Sequence, residues 1–178
     1  MYLAMAAAVV AIIVAVSLVR GVLAADQGTA SMKEIALAVQ EGAEAFLSRQ
    51  FKTILVIVVP LAVLIFFTAT KVTHPGANGT TVVDLTFFQA GIYRVICFLA
   101  GALCSGLTGF IGMSLAVRGN VRTAAAAREG KMAPALKVAF RTGAITGLFC
   151  VGLGLLGATV IVLIFQNTAT SVLIGFGF

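Results

Sequence analysis

Only six side chains in this chain carry a carboxylate, so any acid, base or metal chemistry that needs one must draw on them. Glu41 and Glu44 lie three apart, a spacing that puts both on one face of a helix. Such a pair can offer oxygens to a divalent cation. It is also the ordinary pattern of a solvated helix face, and that is the reading adopted. Asp26, Asp84 and Glu129 have no close acidic neighbour. His74 is the one histidine and cannot build a His-rich metal site, and a solvated loop position suits it. Cys97, Cys104 and Cys150 form no C-x-x-C pair and fall in apolar runs, where a thiol behaves as a small apolar side chain. No G-x-x-x-x-G-K-[ST] loop is present, and the glycines between Gly101 and Gly112 sit in an apolar run that cannot cradle a soluble nucleotide. The expectation is a chain with no disulfide and with no catalytic, cofactor-binding or metal-binding residues of its own.

The elements that would have to position such residues are membrane helices. Residues 1–19, 53–70, 95–117 and 142–178 contain no Asp, Glu, Lys or Arg. Each is close to or longer than the roughly 20 apolar helical residues that cross a bilayer. Hydrophobic residues make up 61% and charged residues 10%, with a mean hydropathy of +1.13; soluble domains carry about 25% charged residues. Nineteen glycines fit the same class. The fold class expected is an all-α membrane protein. It is a single membrane domain over 1–178, with spans at about 2–22, 53–70, 95–117 and 142–165 and the start of a fifth helix at 171–178. Leu23, Ala24 and Ala25 imitate a secretory cleavage site, but no Lys or Arg precedes the apolar run. The first span therefore reads as an uncleaved helix. The net charge of +6 reads as membrane topology, not as nucleic-acid binding.

The basic residues set an orientation. Arg20, Lys33, Arg49 and Lys52 follow the first span, and six more, from Arg118 to Arg141, follow the third. Only Lys71 and Arg94 lie between the second and third. The positive-inside rule puts the first and third gaps in the cytoplasm and both ends of the chain on the other side. A bacterial inner membrane is the expected location.

The helices should reach past the membrane. Ser31 to Glu34 has the form of a capping box, and Ile35, Val39, Ala43, Phe46, Leu47 and Phe51 make one apolar face. A helix from about 32 to 69 follows, bent at Pro60. The alanine-rich run after Arg122 should extend the third span inward by two or three turns, with Gly130 as its stop and Pro134 opening the next helix. His74 to Gly79 is dense in turn residues and reads as a short outside loop. It contains a weak glycosylation acceptor at Asn78-Gly79-Thr80.

Gly101, Ser105 and Gly109 recur every four residues, Gly112 and Ala116 continue the line, and Gly143 and Gly147 repeat it on the fourth span. Small residues so spaced let helices approach closely. No ionisable residue lies at the centre of a span, which removes the usual mark of an ion pathway. From residues alone the chain is a scaffold. An autonomous four-helix membrane protein, such as a small channel or an assembly subunit, stays open beside it.

Three blocks carry a family resemblance. They are EIA at 34–36 with QEGA at 40–43 and FLSRQFKTI at 46–54; GALCSGLTGFIGM at 101–113 with AVR at 116–118 and NVRT at 120–123; and VAFRTGA at 138–144 with Gly147 and GLGLLG at 152–157. In order and spacing they resemble the N-terminal part of the membrane-bound, ion-translocating inorganic pyrophosphatases over about residues 30–178. The resemblance implies a longer pump of about sixteen helices in an inner and an outer ring, with this chain as its first four, outer-ring helices. It implies magnesium pyrophosphate as substrate, export of H⁺ or Na⁺, a possible K⁺ dependence, and a homodimer in the full-length protein. The family's catalytic aspartates, often Asp-x-x-x-Asp, and its lysines match no position here. The chain alone is expected to be inactive and to be an incomplete product.

Overall fold

A computed structural model describes residues 1–75, 81–128, 130 and 132–178. Among these residues, five α-helices, one antiparallel strand pair and a short 3-10 helix (Gln166–Thr168) occur; in order the α-helices and strands are α1 (Tyr2–Leu23), α2 (Ala30–Phe67), β1 (Val72–Pro75), β2 (Thr81–Leu85), α3 (Phe87–Arg128), α4 (Met132–Phe165) and α5 (Ala169–Gly177). Four helical stretches among the described residues are long and apolar enough to cross a membrane, and the fourth runs from Met132 through Gly177. The chain is an all-α membrane protein. Its threonines fit that solvent. Thr108, Thr142 and Thr159 each donate their hydroxyl to the carbonyl four residues back, so none needs an outside partner.

The helix ends show how local chemistry sets the boundaries. α2 is capped by Thr29, whose Oγ1 accepts from the Met32 amide at 3.4 Å. The cap expected at Ser31 is therefore two residues too late, and Ser31 lies inside the helix. Gly28, at φ +77°, turns the chain so that an extended Thr29 can precede the first turn. From there α2 runs unbroken through Pro60 for 38 residues, about 57 Å. α3 stops at Arg128 and Gly130 follows at φ +73°, the left-handed conformation that ends helices. α4 begins at Met132, so Pro134 stands in its first turn, where its missing amide has no bond to lose.

The loop expected between the second and third spans needs correction. Val72–Pro75 pairs antiparallel with Thr81–Leu85, with an irregularity between Val72 and Thr73. β-branched Val72, Thr73, Thr81, Val82 and Val83 flank the turn residues and favour strands. The tip at 76–80, with the acceptor motif, lies outside the described residues, as does Glu129. α3 then starts at Phe87, eight residues before the uncharged run at 95. Its start is a capping box: Thr86 Oγ1 accepts from the Gln89 amide at 3.4 Å, and Gln89 Oε1 accepts from the Thr86 amide at 3.2 Å.

α3 and α4 form the central antiparallel pair; α1 lies along α4, while α2 and α5 pack on α3. Two apolar clusters fill the seams. Ala15, Val22, Leu115 and Ile145 join α1, α3 and α4. Ala90, Cys97, Ile161 and Val172 join α3, α4 and α5, with Leu85 of β2 and Ala69 beside them.

Glycine permits the close contacts, though not along the whole expected ridge. A methyl on Gly101 would come within 2.6 Å of the Phe176 carbonyl oxygen, and one on Gly112 within 2.7 Å of the Thr146 side chain. Gly119 meets Thr142, Gly152 meets Ile12, and Gly91 meets the Phe66 ring. Gly109, Gly143 and Gly147 face open space, and Ser105 is exposed. The four-residue spacing is right for one face, but α5 crosses that face only at Gly101, its N-terminal end.

Candidate functional site

The two acids singled out for metal chemistry do not meet a third ligand. Glu41 and Glu44 are exposed on α2, and Glu44 Oε1 accepts from Gln40 Nε2 at 2.9 Å. Among the described residues no group of three or more His, Cys, Asp and Glu side chains comes together. Cys97 is buried, Cys104 half-buried and Cys150 exposed, all as free thiols.

The groups brought together are basic, and residue spacing did not single them out beyond their use in topology. Arg94, in the second turn of α3, is 6% exposed. Its Nη1 donates to the Thr68 carbonyl at 2.7 Å, its Nε to the Ser171 carbonyl at 2.7 Å, and its Nη2 to Ser171 Oγ at 3.1 Å. Thr68 is the C-cap of α2 and Ser171 lies in the first turn of α5. A guanidinium fork thus ties three helices, and its charge sits at the negative end of the α2 dipole. A clue was in the order of residues, since Arg94 stands alone in the apolar stretch from Ala90 to Ala102.

Arg122 does the same at the other end of α3. It is 6% exposed, its Nη1 donates to the Arg118 carbonyl at 2.6 Å, and its Nη2 donates to the Leu23 carbonyl at 3.1 Å. Leu23 ends α1, so this cation also faces the negative end of a helix. Nε has no partner among the described residues. Burial, and then the neighbouring Arg118 charge, pushes the Arg122 guanidinium below its ordinary pKa. Next to it, Lys33, Gln40, Val117 and Arg118 help to line a cavity of about 320 Å³ between the end of α1, the first half of α2 and the end of α3.

These features define a multi-pass membrane bundle whose helix ends are fastened by buried arginines, with its polar cavity at the basic end. A family profile described as inorganic H⁺ pyrophosphatase matches residues 9–178. The K(+)-insensitive pyrophosphate-energized proton pump of Streptomyces coelicolor is 48% identical over 96% of this chain. The proteins of the same name from Chloroflexus aurantiacus and Methanosarcina mazei are 43% and 40% identical over 88% and 89% of it. This chain belongs to the inorganic H⁺ pyrophosphatase family. It spans about a fifth of the length of these relatives, 20–21%.

Proposed function

We propose that the chain forms the N-terminal, outer-ring part of a pump that couples hydrolysis of pyrophosphate to H⁺ export. The identity of 48% across nearly the whole chain carries this reading. Protons are favoured over Na⁺ because the relatives are named proton pumps. The same names speak against a K⁺ requirement, and K⁺ is left out of the proposal. The magnesium that such hydrolysis uses would be held by residues beyond this chain, as would the pyrophosphate. A homodimer is proposed for the full pump.

The role of these helices is positional. Arg94 fixes α2 and α5 to one end of α3, and Arg122 fixes α1 to the other. The basic end, with Lys33, Arg118 and the α3–α4 turn, would face the cytoplasm of a bacterial inner membrane, with both ends of the chain on the far side. The proposed crossings remain about 2–22, 53–70, 95–117 and 142–165. α2 bears on their depth. Phe51, just before its uncharged run, packs on Gly106 in the middle of the α3 run. The charged half of α2 therefore lies beside α3 from about Gly106 to Arg118, and keeping Lys52 and Arg49 near water would favour a cytoplasmic edge short of the end of the 95–117 crossing.

A chimera tests the function. The matching segment of the Streptomyces coelicolor pump is replaced by this chain, and pyrophosphate-driven acidification is followed in inverted membrane vesicles. The expected result is acidification comparable to that of the parent pump. A chimera that inserts and folds yet neither hydrolyses pyrophosphate nor pumps would defeat the proposal.

A further inference from the structure

We propose that the basic cavity between α1, α2 and α3 binds a phosphate-bearing anion. Three cations line it: Lys33 from α2, and Arg118 and Arg122 from α3. Gln27 and Gln40 add amide donors, and no acidic side chain is among its described lining residues. Glu44 lies in a separate, much smaller cleft that shares Gln40 and Arg118. Lys33 and Arg118 are exposed, while Arg122 is sealed beneath them.

Among the described residues the Arg122 guanidinium is a buried charge with no acidic partner. Its two terminal nitrogens reach only backbone carbonyls, and its Nε reaches no acceptor among the described residues. Arg118, one turn away, repels it. Removing charge from water without a counter-charge is costly, and a bound anion is the direct remedy. Tetrahedral phosphate suits the donor set, because a guanidinium offers it a two-pronged fork and an ammonium a third contact. At about 320 Å³ the cavity admits a phosphate group with its first waters. The argument uses the fold and its charges and does not rest on the pump reading.

Two sources supply that chemistry. If the ends of the uncharged runs of α1 and α3 mark the bilayer edge, Leu23 and Arg118 stand just beyond it, among lipid headgroups; if Lys52 marks it, the cavity stands in water. On α2 the lining residues Lys33 to Gln40 precede Lys52 by twelve residues or more, about 18 Å, at the level of a soluble ion. An acidic phospholipid and free phosphate are therefore the two arms of the test.

The 178-residue chain is purified in detergent, and retained phosphatidylglycerol and phosphatidylcholine are counted by native mass spectrometry. Thermal unfolding is followed with and without millimolar inorganic phosphate. Lys33→Gln and the double variant Lys33→Gln/Arg118→Gln are compared with Arg128→Gln, an exposed cation that does not line the cavity. Each lost charged contact should weaken binding by about tenfold. If lipid is the source, phosphatidylglycerol retention falls in the cavity variants alone, and phosphate leaves the melting temperature unchanged. If free phosphate is the source, it raises the melting temperature of the wild type and of Arg128→Gln, and much less that of the cavity variants. The single variant, on the exposed face of α2, preserves the test should the double variant not fold. Equal lipid retention and equal phosphate response in the cavity variants and Arg128→Gln overturn the proposal.

Discussion

Replacing Arg94 should loosen three helices at once. Arg94→Met keeps the length of the apolar stem and removes the fork. Three charge-assisted bonds disappear, two of them at 2.7 Å to carbonyl oxygens. Hydrogen bonds to charged groups contribute about 1.5–3 kcal/mol each. Their plain sum is an upper bound, since bonds made by one group are not additive. Against it stands the burial of the guanidinium itself, which the variant no longer has to bear. What remains is the cost of leaving the Thr68 carbonyl, at the end of α2, without its donor, about 1–3 kcal/mol, and about 1 kcal/mol for the lost bonds to Ser171, whose carbonyl still lies within the turns of α5. A net loss of about 3 kcal/mol follows. At about 2–4 °C per kcal/mol, the scale of soluble domains of this size, the melting temperature should fall by on the order of 10 °C.

Arg94→Lys should fall between, because one ammonium cannot reach both α2 and α5 with the geometry of a planar fork. Ser171→Ala removes only the 3.1 Å bond to Nη2, worth about 1 kcal/mol. Cys97 supplies the assay. It is 3% exposed, one turn from Arg94, and with Cys104 and Cys150 replaced by serine its reaction with a thiol-reactive dye reports opening at this seam. The expected order of melting temperatures is wild type, Ser171→Ala, Arg94→Lys, Arg94→Met. An Arg94→Met protein that melts with the wild type would show that the fork does not hold the helices, and the reasoning would fail with it.

The four long apolar helices, the long arm of α2 and the α3–α4 hairpin were legible because each depends on local chemistry. Uncharged runs of about 20 residues, an alanine-rich stretch and Gly130 all act within a few positions of themselves. The capping error at Ser31 came from equally local signals in competition: Thr29 and Ser31 are both good caps, and the turn at Gly28 decides between them. The Thr86-x-x-Gln89 box carries the same kind of signal, masked in the sequence by the turn residues at 74–79 just before it. The arginine fasteners were hidden for a different reason. Arg94 meets Ser171 across 77 positions, and Arg122 meets Leu23 across 99. A charge beside a span reads first as a topology marker, and only the packed bundle shows that it is buried. The family resemblance needed no such contacts, since it rests on residue order alone.

Three further outcomes follow from the bundle. The chain by itself should release no phosphate from pyrophosphate with magnesium, because phosphoryl displacement needs metal ions held by clustered carboxylates; turnover like that of a whole pump would contradict this. Single cysteines placed at Ser31 and Ala124 in a cysteine-free background should resist an impermeant reagent added outside, while one at Thr73 should react; the reverse pattern would invert the proposed orientation. Gly101 and Gly109, two turns apart on the expected ridge, should respond with opposite signs to the same added methyl. At Gly101 that methyl would stand 2.6 Å from the Phe176 carbonyl oxygen, a backbone atom that can move only with α5, and such overpacking costs about 1–3 kcal/mol. At Gly109 nothing lies within 4 Å, so Gly109→Ala should gain about 0.5–1 kcal/mol from the stiffer helix. Ser105→Leu, on the exposed part of the same face, should leave the melting temperature near that of the wild type. A Gly101→Ala protein as stable as Gly109→Ala would mean that α5 does not cross α3 closely at this glycine.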